Sequence, residues 1–307
     1  MVNTLNITIS PTQFYTWKNY SCAYEIYQPA NSSSAGLPLL LIHPIGVGLS
    51  RHFWQRFRKQ WSIKGHRNLI YNPDLLGCGE SDMPRVAYTP IDWAEQLDYF
   101  LQTVVKEPLV IVVQGALLPV AIELVQKQSN LIAGMILAGP PAWPVITKNS
   151  SALQQKIAWN IFNSPVGNAF YRYARTENFL RSFSTEKLFA SENAVDKEWL
   201  DMLVAGAKNP ESRHAVFSFL AGFWRQDYTG YLACMNQPTL VVLGETASSI
   251  SKEGKQETPD ERMADYLGCL PQGSGIKLPG RNVLPYESTV EFVEAIAPFI
   301  ATMETVS

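Results

Sequence analysis

LVIVVQGALLPVAIELVQKQ, residues 109–128, decides the fold class of this chain. LVIVV (109–113) is a continuous apolar run, as expected of a strand buried on both faces. LLPVAIELVQKQ (117–128) reads as a helix. Pro119 is tolerable near its start, because the first helical turn has unpaired N–H groups in any case. Only Gln114, Gly115 and Ala116 lie between the two, so strand must become helix through a sharp corner.

Working outward, the same alternation recurs. PLLLIH (38–43), NLIYNPD (68–74), GMILAG (134–139), TLVVLG (239–244) and GSGIKLPG (273–280) read as strands, and FYTWKNYSCAYEIYQ (14–28) as an antiparallel pair. HFWQRFRKQW (52–61), IDWAEQLDYFLQTVV (91–105) and STVEFVEAIAPFIATM (288–303) have helical spacing. NSSSAG (31–36) reads as a loop. Between about 143 and 231 the strand signal disappears and the chain becomes helical and aromatic-rich. Alternating β and α segments predict an α/β fold, with a mostly parallel sheet of about eight strands, right-handed crossovers and helices on both faces. The core is expected at 1–142 and 232–307, with a helical lid inserted over 143–231.

Composition narrows the function. The 307 residues carry a formal net charge of −2, and no Lys/Arg cluster offers a nucleic-acid footprint. Cys22, Cys78, Cys234 and Cys269 stand far apart with no CxxC pair, so buried free thiols are expected in place of a zinc site or disulfide framework. MVNTLNITIS (1–10) lacks the basic and apolar regions of a signal peptide, and the longest apolar runs are broken by Gln, Gly and Pro. The expectation is a cytoplasmic protein with no transmembrane segment. No metal or organic cofactor is implied.

Five stretches in order resemble the α/β-hydrolase superfamily over roughly residues 15–300. LLLIHPIG (39–46) is similar to its oxyanion-loop strand, with His43-Pro44 where His-Gly is usual. NPDLLGCGESDMP (72–84) is similar to its PDLxGxGxSDxP turn. VIVVQGALLPVAIEL (110–124) occupies the place of the nucleophile elbow. TLVVLGETASS (239–249) matches the strand that usually ends in Gly-x-x-Asp, and LPGRNVLPYEST (278–289) the stretch that usually reads Gly-His-x-Pro-x-x-Glu. The branch it looks like is that of lid-containing lipophilic-ester hydrolases.

The resemblance implies a nucleophile, an acid and a histidine base, and each slot is filled by a residue unable to serve. Gly115 takes the nucleophile position, and from Leu109 to Ile122 there is no Ser, Thr, Cys or Asp in any register. Ala247 takes the acid position, with Glu245 two residues away. Val283 takes the histidine position, and the chain's histidines are His43, His52, His66 and His214, all before the final strand. Val113 and Leu117 stand where the elbow usually carries glycines. An oxyanion hole depends on backbone N–H groups, so it can survive these changes; the resemblance gives its donors as Ile45 and Ala116. His43, Asp74 and Glu245 are the polar candidates for a pocket, His43 doubling as a structural histidine and Asp74 as a holder of its loop. The aromatic lid implies an apolar pocket. Three functions follow: a non-catalytic binding or regulatory module for an apolar small molecule, a hydrolase using His43, Asp74 or Glu245 in a non-standard constellation, or an assembly scaffold for a protein partner.

Overall fold

A computed structural model describes residues 11–28, 36–128 and 130–304. The N-terminal stretch 1–10 and most of the NSSSAG loop lie outside the described residues. The strands are β1 (Gln13–Trp17), β2 (Tyr20–Tyr27), β3 (Leu39–Ile42), β4 (Ile70–Pro73), β5 (Leu109–Gln114), β6 (Ile132–Ala138), β7 (Thr239–Gly244) and β8 (Gly273–Leu278). They form one sheet in the order β1-β2-β4-β3-β5-β6-β7-β8. β1 and β2 are antiparallel, β2 is antiparallel to β4, and every other pairing is parallel. The β1–β2 hairpin turns on Lys18 (φ +47°) and Asn19 (φ +68°). Positive φ at both central residues is what lets a two-residue turn follow the twist of its strands.

The continuous apolar runs are buried on both faces, and their period of two divides the core. Leu40, Ile42, Ile111, Val113, Met135, Leu137, Val241 and Leu243 face one apolar cluster. Leu39, Leu41, Val110, Val112, Ile136, Ala138, Leu240 and Val242 face the other. Helices α1 (Gln55–Ile63), α2 (Pro90–Phe100) and α3 (Leu118–Lys127) separate the strands up to β6. The helix expected to run to 105 ends as a single wide turn over Leu101–Val105, closed by Lys106 in the left-handed region (φ +60°).

Between β6 and β7 lie α4 (Trp143–Ile146), α5 (Ala152–Phe162), α6 (Pro165–Ala174), α7 (Glu177–Phe183), α8 (Lys197–Gly206), α9 (Arg213–Leu220) and α10 (Thr229–Ala233), with no described strand among them. After β7 come α11 (Pro259–Cys269) and, beyond β8, α12 (Leu284–Glu287) and α13 (Thr289–Glu304). Among the described residues no helix is long and apolar enough to cross a membrane. The four thiols are free, but only Cys22 and Cys78 are buried; Cys234 is exposed and Cys269 half-buried, because their segments border the surface at α10 and α11.

The loop after β3 meets α8 through two glycines. A Cβ on Gly48 would land on the Leu203 carbonyl, and one on Gly206 on the Gly48 carbonyl. Backbone atoms cannot step aside as side chains can, so Gly206→Ala forfeits the gain of up to about 1 kcal/mol usual for Gly→Ala in a helix. Its expected outcome is a loss of about 1–3 kcal/mol in urea unfolding, as for overpacked sites.

Candidate functional site

The three positions expected to correspond to nucleophile, acid and histidine all lie beyond the C-terminal ends of strands. β5 runs directly into Gly115, whose φ of +65° would strain any residue with a Cβ. A short 3-10 turn, Gly115–Leu117, then feeds α3. An ideal Cβ at Gly115 would come near only one described atom, the Gly139 carbonyl oxygen at 4.0 Å, so there is open room above the corner. Ala247 closes a turn after β7 by donating its N–H to Gly244 O at 3.0 Å, and its side chain is buried. Val283 is buried in the apolar cluster shared with α1 and α13, and its carbonyl accepts from Tyr286 and Glu287 N–H, both at 2.9 Å.

Two residues that the sequence reading passed over join these positions. Gln114 is buried at the end of an otherwise apolar strand, and its Nε2 donates to Asn282 O at 2.7 Å. Its Oε1 is buried with no partner among the described residues. Asn282, immediately before Val283, donates through Nδ2 to Lys187 O (2.7 Å) and Ser248 O (2.9 Å). Its Oδ1 accepts from Ser248 N–H at 3.3 Å, and its N–H donates to Leu188 O at 3.0 Å. One asparagine thus ties the β5 corner, the loop after β7 and the segment after α7 to the loop after β8. A lone polar residue closing LVIVVQ was the available signal for Gln114; nothing local in RNVLPYE marks Asn282 as a clamp.

The oxyanion candidates sit symmetrically. Ile42 and Val113 are register partners of β3 and β5, and Ile45 and Ala116 each lie three residues beyond that rung. Among the described residues neither N–H has a hydrogen-bond acceptor. Ala116 is in the first turn of the helical stretch, where donors are orphaned by geometry.

The polar candidates are spread over the ends of three strands, His43 after β3, Asp74 after β4 and Glu245 after β7. Glu245 is exposed after β7, its N–H donating to Leu278 O at 2.8 Å. Two strands, β5 and β6, separate β7 from β3, at whose end His43 stands. His43 is fully buried, with Nδ1 2.8 Å from Pro44 O and Nε2 accepting from Leu75 N–H at 3.1 Å. Both ring nitrogens are engaged, which fixes a neutral tautomer. Burial pushes its pKa down, outweighing the opposing pull of the Asp74 charge.

Asp74 is equally buried and equally occupied. Oδ1 accepts from Arg51 N–H at 2.8 Å, and Oδ2 from the Arg51 guanidinium and from Glu80 N–H at 2.8 Å. Its main-chain oxygen accepts from Ser81 Oγ (2.9 Å) and Gln96 Nε2 (3.1 Å). A Cβ on Gly79 would land on the Asp74 carboxylate, so the tight turn after β4 needs glycine there. Arg51 is fully buried and its Nε lies 3.2 Å from Glu25 Oε1, an ion pair without hydrogen-bond alignment. Burial pushes the Glu25 carboxyl up, but the charges of Arg58 and Arg51 more than reverse this and hold it below the ordinary carboxylate range.

Two surface clefts stand out. The larger, about 770 Å³, runs along α8 and is lined by Met202, Ala205 and Tyr286 together with charged groups such as Glu80, Glu198 and Lys208. The other, about 490 Å³, lies between the end of α1 and α13. Neither is lined by Gly115, Ala247 or Val283.

The model of a family described as "Alpha/beta hydrolase family" matches residues 39–295. Among solved structures, a thermophilic esterase from Thermogutta terrifontis superposes with a TM-score of 0.72 at 19% identity, covering 96% of this chain and 100% of the other. An enol-lactonase from Burkholderia xenovorans gives 0.69 at 14% identity over 94% and 100%. A hydrolase from Pseudomonas aeruginosa gives 0.68 at 16% over 94% and 98%. No curated protein sequence is similar to the chain at a significant level.

The buried neutral histidine sets a pH dependence. Because the folded pKa of His43 lies below its ordinary value near 6.5, the unfolded chain binds a proton that the native one refuses, and stability falls as pH drops below about 6.5. His66 and His214, lowered chiefly by burial, act in the same direction. Urea unfolding between about pH 7 and pH 5 is expected to show this decline, each fully refused proton adding up to about 1.4 kcal/mol per pH unit. In His43→Gln the slope is expected to be shallower by up to that amount.

Proposed function

The chain belongs to the alpha/beta hydrolase family, and from that premise we propose that it is a member that binds an apolar small molecule at the β5 corner without turning it over. The observation that carries this reading is Gly115. Its backbone occupies the left-handed conformation, its missing side chain leaves open room, and it offers no atom able to attack a carbonyl. Ala247 and Val283 bring no carboxylate and no imidazole to stand beside it.

The N–H groups of Ile45 and Ala116, without an acceptor among the described residues, would meet the polar end of the proposed ligand. They suit a carbonyl or similar acceptor, while the aromatic helices of residues 143–231, acting as a lid, supply the apolar half. Asn282 holds the loop before Val283 at several points, so the pocket wall on that side is rigid enough to present a fixed shape to a ligand.

A second reading, hydrolysis by some other set of groups, draws on family membership and on the esterase and lactonase among the structural relatives. His43 and Asp74 offer it little, since their polar atoms are already engaged by the chain's own groups.

Purified protein is expected to give near-background rates on p-nitrophenyl esters of graded chain length and no labelling by a fluorophosphonate. Methyl ketones of the same chain lengths are expected to bind reversibly in calorimetry. Turnover approaching the usual 1–10³ s⁻¹ would establish the hydrolase reading instead. If the ketones do not bind and a protein partner co-purifies in fixed ratio, the scaffold reading replaces both. Gly115→Ser alone is expected to stay unlabelled, at a stability cost of about 1–2 kcal/mol for a Cβ in the left-handed region. Gly115→Ser combined with Ala247→Asp and Val283→His is expected to gain labelling, because it restores nucleophile, acid and base together.

A further inference from the structure

Residues 143–176 contain Lys148, Lys156, Arg172 and Arg175 and no Asp or Glu, in a chain whose formal net charge is −2. Two helices in this stretch turn apolar side chains outward. On α5, Leu153, Ile157 and Ile161 follow at four-residue spacing and so form one stripe; they are 68%, 51% and 55% exposed. No residue of α5 is fully buried. On α6, Val166, Phe170 and Tyr173 form a second exposed stripe, while Gly167, Tyr171 and Ala174 face inward. The stripes meet at the α5–α6 corner. There a Cβ on Gly167 would land on the Phe162 carbonyl, and the Phe162 and Phe170 rings lie 6.3 Å apart. Single exposed apolar residues need no explanation; six on two joined helices do.

The surrounding charge says what covers them. Lys148, Lys156 and Arg172 are exposed and make no salt bridge among the described residues. We infer that this face docks on an anionic lipid surface. Leucine, isoleucine and valine side chains would enter the boundary between headgroups and acyl chains. Phe170 and Tyr173 would lie at the depth where aromatic rings are favoured, and the cations would meet acidic headgroups. Lysine and arginine stems can lie along the apolar surface while their charges stay among the headgroups. A second copy of the chain fits less well. A twofold contact sets a patch against itself, and so sets these cations against one another with no carboxylate from the same stretch between them. The inference does not depend on whether the β5 corner is catalytic.

The test is flotation of the full-length protein with vesicles of phosphatidylcholine alone and with vesicles that also contain phosphatidylglycerol. Co-flotation is expected with the mixed vesicles, weaker with the neutral ones, and reversed by rising salt. Ile157→Asp with Ile161→Asp is expected to abolish it, and Lys156→Gln to lower the partition coefficient about fivefold. All three side chains are exposed, so both variants should keep the thermal transition of the unsubstituted protein. Absence of flotation with the mixed vesicles overturns the inference, as does flotation indifferent to the two aspartates. A concentration-dependent dimer seen by light scattering, broken by those aspartates and accompanied by no flotation, also overturns it and assigns the face to a second copy.

Discussion

The buried ion pair of Arg51 with Asp74 holds together the strand ends on which the site rests. Its two charges are fully buried, and an isolated charge there would be very unfavourable. The chain therefore surrounds the carboxylate with donors from separate segments: the backbone and guanidinium of Arg51 after β3, and the N–H of Glu80 from the turn after β4. Glu25 of β2 and Arg58 of α1 extend the network. Such a pair contributes little against a well-packed apolar alternative but makes any partly formed arrangement costly, so it selects one geometry for these loops. His43 is held beside it through Leu75, the residue after Asp74.

That selection also ties up the polar atoms of His43 and Asp74. A group that acts on a substrate needs a free lone pair or proton. At His43 both ring nitrogens are engaged, and at Asp74 both oxygens accept from the chain itself. Across the sheet the Asn282 clamp does for the β5 side what the Arg51 pair does for the β3 side. Between the two lies a corner where the N–H donors of Ile45 and Ala116 and the buried Gln114 Oε1 have no partner among the described residues.

Much of the fold was legible because it is written in period and punctuation. Every strand inferred from an apolar run appears within a residue or two, since only a sheet covered on both faces buries LVIVV or TLVVLG completely. The antiparallel pair within residues 14–28 was legible from its alternation, but its turn at Lys18–Asn19 was not, since neither residue is the glycine that such turns favour. The absence of any Ser, Thr, Cys or Asp between Leu109 and Ile122 could be read directly. The clamp could not, since Gln114 and Asn282 are 168 residues apart and neither carries a local pattern. Nor could the separation of Glu245 from His43 and Asp74, which depends on strand order and not on spacing along the chain.

The clamp also fixes an order of events in folding. Asn282 joins segments at 114, 187–188 and 248, so none of these bonds can close until β7 and β8 have docked. Contacts of such long sequence separation close large loops and form late. During synthesis from the N-terminus, β5 and the helices of 143–231 emerge before their latch exists. The Gln114 side chain then waits in water, where it is fully solvated, and enters the interior only as the last strand settles. The clamp beside Gly115 is therefore among the contacts that close late, and a shortened or slowly delivered C-terminal segment would leave it open.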